Sequence, residues 1–377
     1  NIARANNRIV QVFWLILLLI AISLCSLLCI ETIIDYTNFE ITTKIEKIYE
    51  NPVVLPAIYL CNKNPFVSEN SMDLAREIIN NLTNTNDRDY YMKIFDFKDL
   101  NEHNYTELET LNRIILNFKR LLSNPYISSE TKKKFGLDKH SFIFKCLSAE
   151  KDCDESFFKW FYNPDWGNCY VINSGYDKED KKTNKYIKQT ERGDLYGIEL
   201  EIFSGFVKND PKNLFSILQQ FGLSLQIANQ SFMPFFFAES IKVKSGTSTY
   251  FKIKKIINQR LPKPYSDCVE SETFESIYND ELKKLGYLYD QRSCFRLCYQ
   301  KFFIDSCSCY DFDYKHVFDF PLLNSKQCQT VEEIKCAENA FKRFDSNACF
   351  RECPLECLTV SYELQSWFEE FPGKGNY

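Results

Sequence analysis

Residues Ile9 to Ile30 form an unbroken run of 22 uncharged, mostly apolar residues, and no other feature restricts the fold as strongly. At ~1.5 Å per residue, a helix of this length covers a bilayer hydrocarbon core of ~30 Å. In lipid each backbone N–H and C=O must be satisfied within its own segment, so a lone span is a helix. Arg4 and Arg8 precede the run with no acidic residue among them, and Glu31, Asp35 and Glu40 follow it. Short basic flanks stay in the cytoplasm, which places the N-terminus inside and the chain from about Glu31 onward outside. A cleaved signal peptide is the rival reading. Its apolar segment spans ~7–15 residues and ends at a small-x-small site, whereas this run ends in Leu27-Leu28-Cys29-Ile30.

Of the 16 cysteines, all but Cys25 and Cys29 lie beyond the run. An even, dense cysteine set on the far side of a membrane reads as a disulfide framework in an oxidising compartment. Cys25 and Cys29 share one helical face and read as small packing residues. The sequons at Asn81, Asn104 and Asn229 all fall on the predicted outside and are candidate glycosylation sites. A net charge of −5 is mild, and Lys132-Lys133-Lys134 and Lys181-Lys182 lack interleaved aromatics, so no nucleic-acid partner is expected. The chain has no initiating Met and no second apolar run, and is expected to be a piece of a longer protein.

Beyond the membrane run, Val53 to Cys61 reads as a buried strand and Leu74 to Leu82 as a short helix. Apolar residues from Leu108 to Leu122 recur at helical spacing, which predicts an amphipathic helix over Glu107–Ser123. Strand patterns return at Tyr170–Ile172, Leu195–Phe203, Leu223–Ile227 and Tyr250–Ile257. The order predicts an α+β ectodomain, a β core carrying helical subdomains.

Cys294 and Cys298 are four residues apart, as are Cys349, Cys353 and Cys357. On helices each set shares one face at ~6 Å intervals, and bonded cysteines need Cα atoms ~4.4–6.8 Å apart. Antiparallel segments therefore pair Cys298 with Cys349 and Cys294 with Cys353. Cys357 then needs an upstream partner, and Cys268 is available. Cys307 and Cys309 are too close to bond to each other without strain, so each reaches outward, nested as Cys309–Cys328 and Cys307–Cys336. A zinc site is the alternative, but no His stands at ligand spacing and extracellular thiols are oxidised. No metal or cofactor is expected.

Several strings resemble the epithelial sodium channel/degenerin family, which includes acid-sensing and amiloride-sensitive sodium channels. Leu55-Pro56-Ala57-Ile58 with Cys61-Asn62-Lys63-Asn64-Pro65-Phe66 is similar to the signature after that family's first membrane helix. Gly167-Asn168-Cys169-Tyr170 with Asn173-Ser174-Gly175 is similar to its β-ball motif. Leu261-Pro262-Lys263-Pro264-Tyr265-Ser266-Asp267-Cys268 is similar to the entry to its thumb, and the spacing from Cys294 to Cys357 completes the thumb pattern. The match runs from about Ile9 to Trp367. Leu55 replaces the usual Phe, and neither the second membrane helix nor the family's cytoplasmic His-Gly motif is in the chain.

The resemblance implies a hand-like ectodomain in a homo- or heterotrimer that conducts sodium ions across the plasma membrane and is amiloride-sensitive. It implies a cytoplasmic stub (1–8), a transmembrane helix (9–30), wrist and palm start (31–66) and finger (67–160). There follow β-ball, knuckle and palm strands (161–260), a stapled thumb (261–357) and a return to the palm (358–377). It also implies Cys61–Cys169 and Cys146–Cys153. Phe39 corresponds to a wrist aromatic and Tyr265 to the aromatic that contacts it, a pair that would couple thumb to membrane helix in gating. Glu270, Glu272, Glu275, Asp280 and Glu281, with Asp87 and Asp89, read as solvated charge, and His103, His140 and His316 form no cluster. No catalytic motif is present, so an enzyme is not expected. The other reading is a single-pass receptor or adhesion ectodomain without a pore, and the coding sequence beyond Tyr377 separates the two.

Overall fold

The computed structural model describes residues 8–39, 41–63, 71–82, 85–86, 88–89, 92, 127–163, 165–176, 182–183, 185–191, 193–204, 222–235, 239–310, 325–328 and 330–371. The helix expected over Glu107–Ser123 lies outside these residues. So do Asp87, Asn104, His103 and His316. The chain divides into two units, one of Asn1–Tyr49 with Arg260–Cys268 and one of Glu50–Gln259 with Val269–Tyr377.

In the first unit, α1 (Arg8–Thr37) is a 30-residue helix with no buried residue. It is apolar on every side, and its most apolar 18-residue window has a mean hydropathy of 2.9. A helix hydrophobic all round is built for lipid or for a deep core, and none of this one is buried. Ser26 Oγ and Thr32 Oγ1 donate to the carbonyls of Ile22 and Leu28, four residues back, which satisfies both hydroxyls inside the helix. The helix outlasts the apolar run by seven residues, through Glu31 and Asp35. Charge ends burial in lipid but does not break a helix, so the two boundaries differ.

The second unit is built on an antiparallel sheet. Its strands are β2 (Ala57–Asn62), β5 (Phe158–Asn163), β6 (Gly167–Ile172), β9 (Leu223–Ala228) and β10 (Ile241–Val243), in the order β10-β9-β2-β6-β5. All six residues of central β2 are buried. Alternation sends Ile58 and Leu60 with Tyr170 and Ile172 into one apolar cluster, and Ala57, Tyr59 and Cys61 with Val171 into another. The strand expected over Val53–Cys61 is interrupted. β1 (Val53–Val54) pairs with β7 (Lys188–Gln189), and β2 starts only after Pro56, which has no N–H for a ladder.

Asn173, directly after β6, ties the sheet to its surroundings. It is fully buried with φ 64°, a left-handed conformation that Asn adopts more readily than most residues. Its side-chain amide donates to Leu55 O at 2.6 Å, and its Oδ1 accepts from Ile187 N at 2.7 Å. Its backbone N donates to Phe157 O, and Gln230 Nε2 donates to its carbonyl. Four segments thus meet on one side chain and its peptide.

A smaller sheet joins β3 (Ile143–Ser148), β4 (Lys151–Asp152) and β8 (Ile198–Ile202), with β3 central. β11 (Thr247–Gln259) and β12 (Leu358–Glu370) form a separate ribbon of 13 paired positions, from Thr247↔Glu370 to Gln259↔Leu358. Five further helices matter below or mark the remaining fold. α2 (Ser71–Asn80) packs Ala75 and Ile79 against Phe135 and Tyr162. The others are α3 (Ile277–Lys284), α4 (Gln291–Cys307), α5 (Val331–Phe341) and α6 (Asn347–Glu352). The architecture is an apolar N-terminal helix with a disulfide-rich, mixed α/β remainder.

Replacing Asn173 by Ala leaves the buried Ile187 N–H without its partner, leaves the Leu55 carbonyl to Gln230 Nε2 alone, and keeps a strained φ. We expect a loss of about 2–4 kcal/mol in unfolding free energy, measured by denaturant titration of the detergent-solubilised chain. A loss under ~0.5 kcal/mol would mean that the node is redundant.

Candidate functional site

Two arrangements hold the residues that the sequence analysis singled out, one in each unit. In the first unit the end of α1 turns sharply. Asn38 N donates to Ile34 O and Phe39 N to Tyr36 O, and Phe39 has φ 50°. Helices often end on a left-handed residue, but Gly is the usual occupant, because a side chain there costs ~1–2 kcal/mol. Phe39 is half-buried. Its ring meets Tyr265 edge to face, with centroids 5.6 Å apart at 83°, and lies 6.3 Å from Tyr36. Such a geometry is worth ~0.5–1.5 kcal/mol beyond area burial, comparable to the strain at Phe39.

Tyr265 is carried by a tight loop. Tyr265 N donates to Pro262 O at 3.0 Å, and Ser266 Oγ donates to Leu261 O at 2.6 Å. Cys268 N donates weakly to Ser266 Oγ at 3.4 Å, and Lys263 pairs with exposed Asp267 at 3.5 Å. Proline at 262 and 264 limits the loop's backbone freedom. The loop therefore holds Tyr265 with little slack against the last turn of the apolar helix.

In the second unit, α4 is the centre of a covalently stapled group. Asp290 caps its start by accepting from Ser293 N, and Ser308, left-handed with φ 58°, closes its end. Cys294 is bonded to Cys353 and Cys298 to Cys349, with Cα atoms 5.6 and 6.0 Å apart. Cys307 is bonded to Cys336 of α5, and Cys309 to Cys328, at 5.9 and 4.9 Å. Leu282, Leu285, Tyr289, Leu297 and Cys353 pack as one core, and Tyr299, Phe303, Cys309 and Ala340 as a second along the same helix. Phe295 and Phe350 stack edge-on at 4.8 Å beside the staples.

One expectation needs correction. Cys349, Cys353 and Cys357 do not share one helical face, because α6 spans only Asn347–Glu352. Pro354 disfavours helical backbone at Cys353 and provides no N–H. Cys353 thus sits at the helix end, and Cys357 beyond it in a parallel bridge of Val269 with Glu356. In the sheet, Cys61 and Cys169 are directly opposed on β2 and β6 and bonded, and Cys146–Cys153 closes the β3–β4 hairpin. Cys268 and Cys357 each take part in a disulfide. Cys25 and Cys29 are free and exposed on α1.

Among the other candidates, Glu270, Glu272, Glu275 and Asp280 are exposed, as are Asp89 and His140. Glu281 is buried and pairs with Lys284 at 3.2 Å. Asn81 is exposed, whereas Asn229 is half-buried, accepts from Ser231 N at 2.8 Å and is hydrogen-bonded to the Tyr362 hydroxyl. No cluster of possible metal ligands occurs among the described residues. Sequence reasoning missed a joint between sheet and stapled helices. Tyr176 OH donates to Gly286 O at 3.1 Å, Leu288 N donates to Ser231 O at 2.7 Å, and Arg292 and Arg296 flank the Phe235 ring. Isolated Tyr, Ser and Arg residues carry no spacing signal for such contacts.

The chain's sequence has known relatives. The family model described as amiloride-sensitive sodium channel matches residues 1–375. The chain belongs to the amiloride-sensitive sodium channel family. Degenerin mec-10 of Caenorhabditis elegans is 30% identical over 252 residues, which cover 64% of this chain and 32% of that protein. Degenerin deg-1 of the same organism is 26% identical over 250 residues, or 64% and 30%. The epithelial sodium channel subunit gamma of Neoceratodus forsteri is 26% identical over 349 residues, or 87% and 48%. The chain of this family member thus spans less than half the length of each of these relatives.

The staples give the first measurable consequence here. Opening Cys298–Cys349 by paired Ser substitutions removes one staple while Cys294–Cys353, four residues away on each side, still joins the same segments. The loop freed is therefore short, and we expect a loss of about 2–3 kcal/mol on the chain-entropy account, seen as a lowered denaturant midpoint. Non-reducing peptide mapping of the unaltered chain should recover Cys294 joined to Cys353. Recovery of Cys294 joined to Cys349 would contradict the register described.

Proposed function

We propose that the chain is the first membrane span and ectodomain of a subunit of a trimeric sodium channel, amiloride-sensitive and sited at the plasma membrane. The observation that carries this reading is the edge-to-face contact of Phe39 with Tyr265 in a member of this family. Phe39 ends the apolar helix, and Tyr265 stands three residues before Cys268, where the chain leads into the stapled helices. Rigid packed elements pass displacement on, whereas loose ones absorb it. A movement of the stapled helices therefore reaches the membrane helix through a small aromatic contact.

Further features support the reading. The basic flank before the apolar run Ile9–Ile30 and the acids after it suit an N-terminus in the cytoplasm and an ectodomain outside. Disulfides on the chain beyond α1 suit the same orientation. The β11–β12 ribbon is exposed over most of its length and ends in exposed Trp367, Phe368 and Phe371. A two-stranded ribbon is marginal alone in water, and a neighbouring subunit is the partner we assign to it. The division into finger, β-ball, palm and thumb, glycosylation at Asn81, Asn104 and Asn229, and a gating role for Phe39 and Tyr265 belong to the same proposal.

The experiment is electrical. A complete subunit containing this chain, expressed in oocytes, should give an amiloride-blocked current whose reversal potential follows the sodium gradient. Phe39→Ala or Tyr265→Ala should each shift gating while leaving ion selectivity and surface expression near their original values. The double variant should be less than additive by about 0.5–1.5 kcal/mol in gating free energy. Strict additivity would reduce both rings to ordinary packing, and absence of any sodium current would remove the channel assignment.

A further inference from the structure

The start of α4 brings two carboxylates together where ordinary helices use one capping group. Asp290 accepts from Ser293 N at 3.0 Å through Oδ1 and from the Ser293 hydroxyl through Oδ2. Glu356 reaches the same helix end from the Pro354–Cys357 turn, accepting from Gln291 N at 2.8 Å through Oε2 and from Thr359 Oγ1 at 3.1 Å through Oε1. Each residue is only 7% exposed. A helix N-terminus favours one negative charge, but two carboxylates in one desolvated place repel each other, and one of them is driven to hold a proton.

The place is mechanically important. Glu356 stands two residues before β12, where the stapled helices hand over to the long ribbon. Val269 pairs with Glu356, Val269 N donates to Leu355 O, and Cys357 N donates to Val269 O. The Tyr289 hydroxyl donates to Pro354 O at 2.6 Å, and Gln291 Nε2 to Cys353 O at 2.9 Å. We propose that Asp290, set beside Glu356 at one helix end, forms a proton-operated latch: a proton on Asp290 closes the start of α4 on the Pro354–Cys357 turn, and loss of that proton loosens it.

The hydrogen bonds allow this without rearrangement. A Ser hydroxyl both donates and accepts, so Ser293 Oγ can turn to accept from a protonated Oδ2 while Ser293 N still donates to Oδ1. Other charged groups around the joint are already engaged. Arg292 pairs with Glu239, and Glu352 of α6 accepts from the Tyr278 hydroxyl at 2.6 Å. Burial, the largest cause, pushes the Asp290 carboxyl up to about 6. The Ser293 bonds and the Arg292 N–H hold it down, and the Glu356 charge adds to the rise. For a carboxyl whose folded value lies above its open-state value of ~3.9, the stabilisation is complete below ~3.9 and is lost as pH rises through about 6. Acid therefore tightens this joint. The acids at Glu270, Glu272 and Glu275 are exposed and take no part.

The latch does not depend on a pore, and its test needs none. Hydrogen exchange of the 291–298 and Cys357 amides is followed in the full chain in detergent at pH 7.5 and pH 5.0, corrected for the chemical exchange rate. Protection should rise about tenfold on acidification, the ratio that a shift from ~3.9 to about 6 gives between these pH values. Asp290→Asn should abolish the change, and Glu356→Gln should shrink it while keeping its direction. Equal protection at both pH values, weaker protection in acid, or a tenfold change that survives in Asp290→Asn would each overturn the latch. Should Asp290→Asn fail to fold, the unaltered chain set against Glu356→Gln still decides.

Discussion

Three disulfides on a single helix and a fourth just beyond its end are the constraint on which the helical part of this molecule depends. α4 begins on a shared cap, passes two staples to the α6 segment, and ends beside two more that reach α5 and Cys328. Its sequence has little amphipathic order, and its partner α6 has only six residues. Isolated helices that short are marginal in water, and most helical stability comes from packing. Here covalent links hold the short partner in place and let aromatic side chains such as Tyr299 and Phe303 complete the fill. Disulfides act mainly by narrowing the unfolded ensemble, and the packing of Leu282, Leu285, Tyr289 and Leu297 adds to that constraint in the folded helices.

The sheet solves the same problem differently. β2 and β6 are buried over every residue and present apolar side chains to both faces. One disulfide joins them, but the packing of Ile58, Leu60, Tyr170 and Ile172 is already extensive. Asn173 then fixes the strand ends through buried hydrogen bonds, which cost most when one partner is lost. In the second unit a packed sheet and a stapled helical group thus meet at Tyr176–Gly286 and Phe235–Arg292. Such a division suits a proposed part that moves as a body on a fixed support.

Much of this was legible because some sequence signals are geometric. An uncharged run of membrane length and cysteines four apart each translate directly into distance along a helix. The end of α1 was not legible, since Glu31 and Asp35 mark the edge of apolarity and not the edge of the helix. β5 was missed because Phe-Lys-Trp-Phe-Tyr-Asn shows no alternation; both of its faces are covered, and Lys159 lies buried with its ammonium over the Tyr176 ring. α5 carried a readable start in Thr330 and Glu333, which form a reciprocal capping box. The two carboxylates at Asp290 and Glu356 are far apart in sequence, and only the fold brings them to one helix end.

The central claim is that the helices around α4 owe their order to covalent staples while the sheet stands on its own packing. Hydrogen exchange of the full chain with and without a thiol reductant tests it most directly. On this account, reduction strips protection from α4, α5 and α6 while β2, β6 and β9 keep most of theirs. Equal loss in helices and sheet, or helices that stay protected after complete reduction, would contradict it.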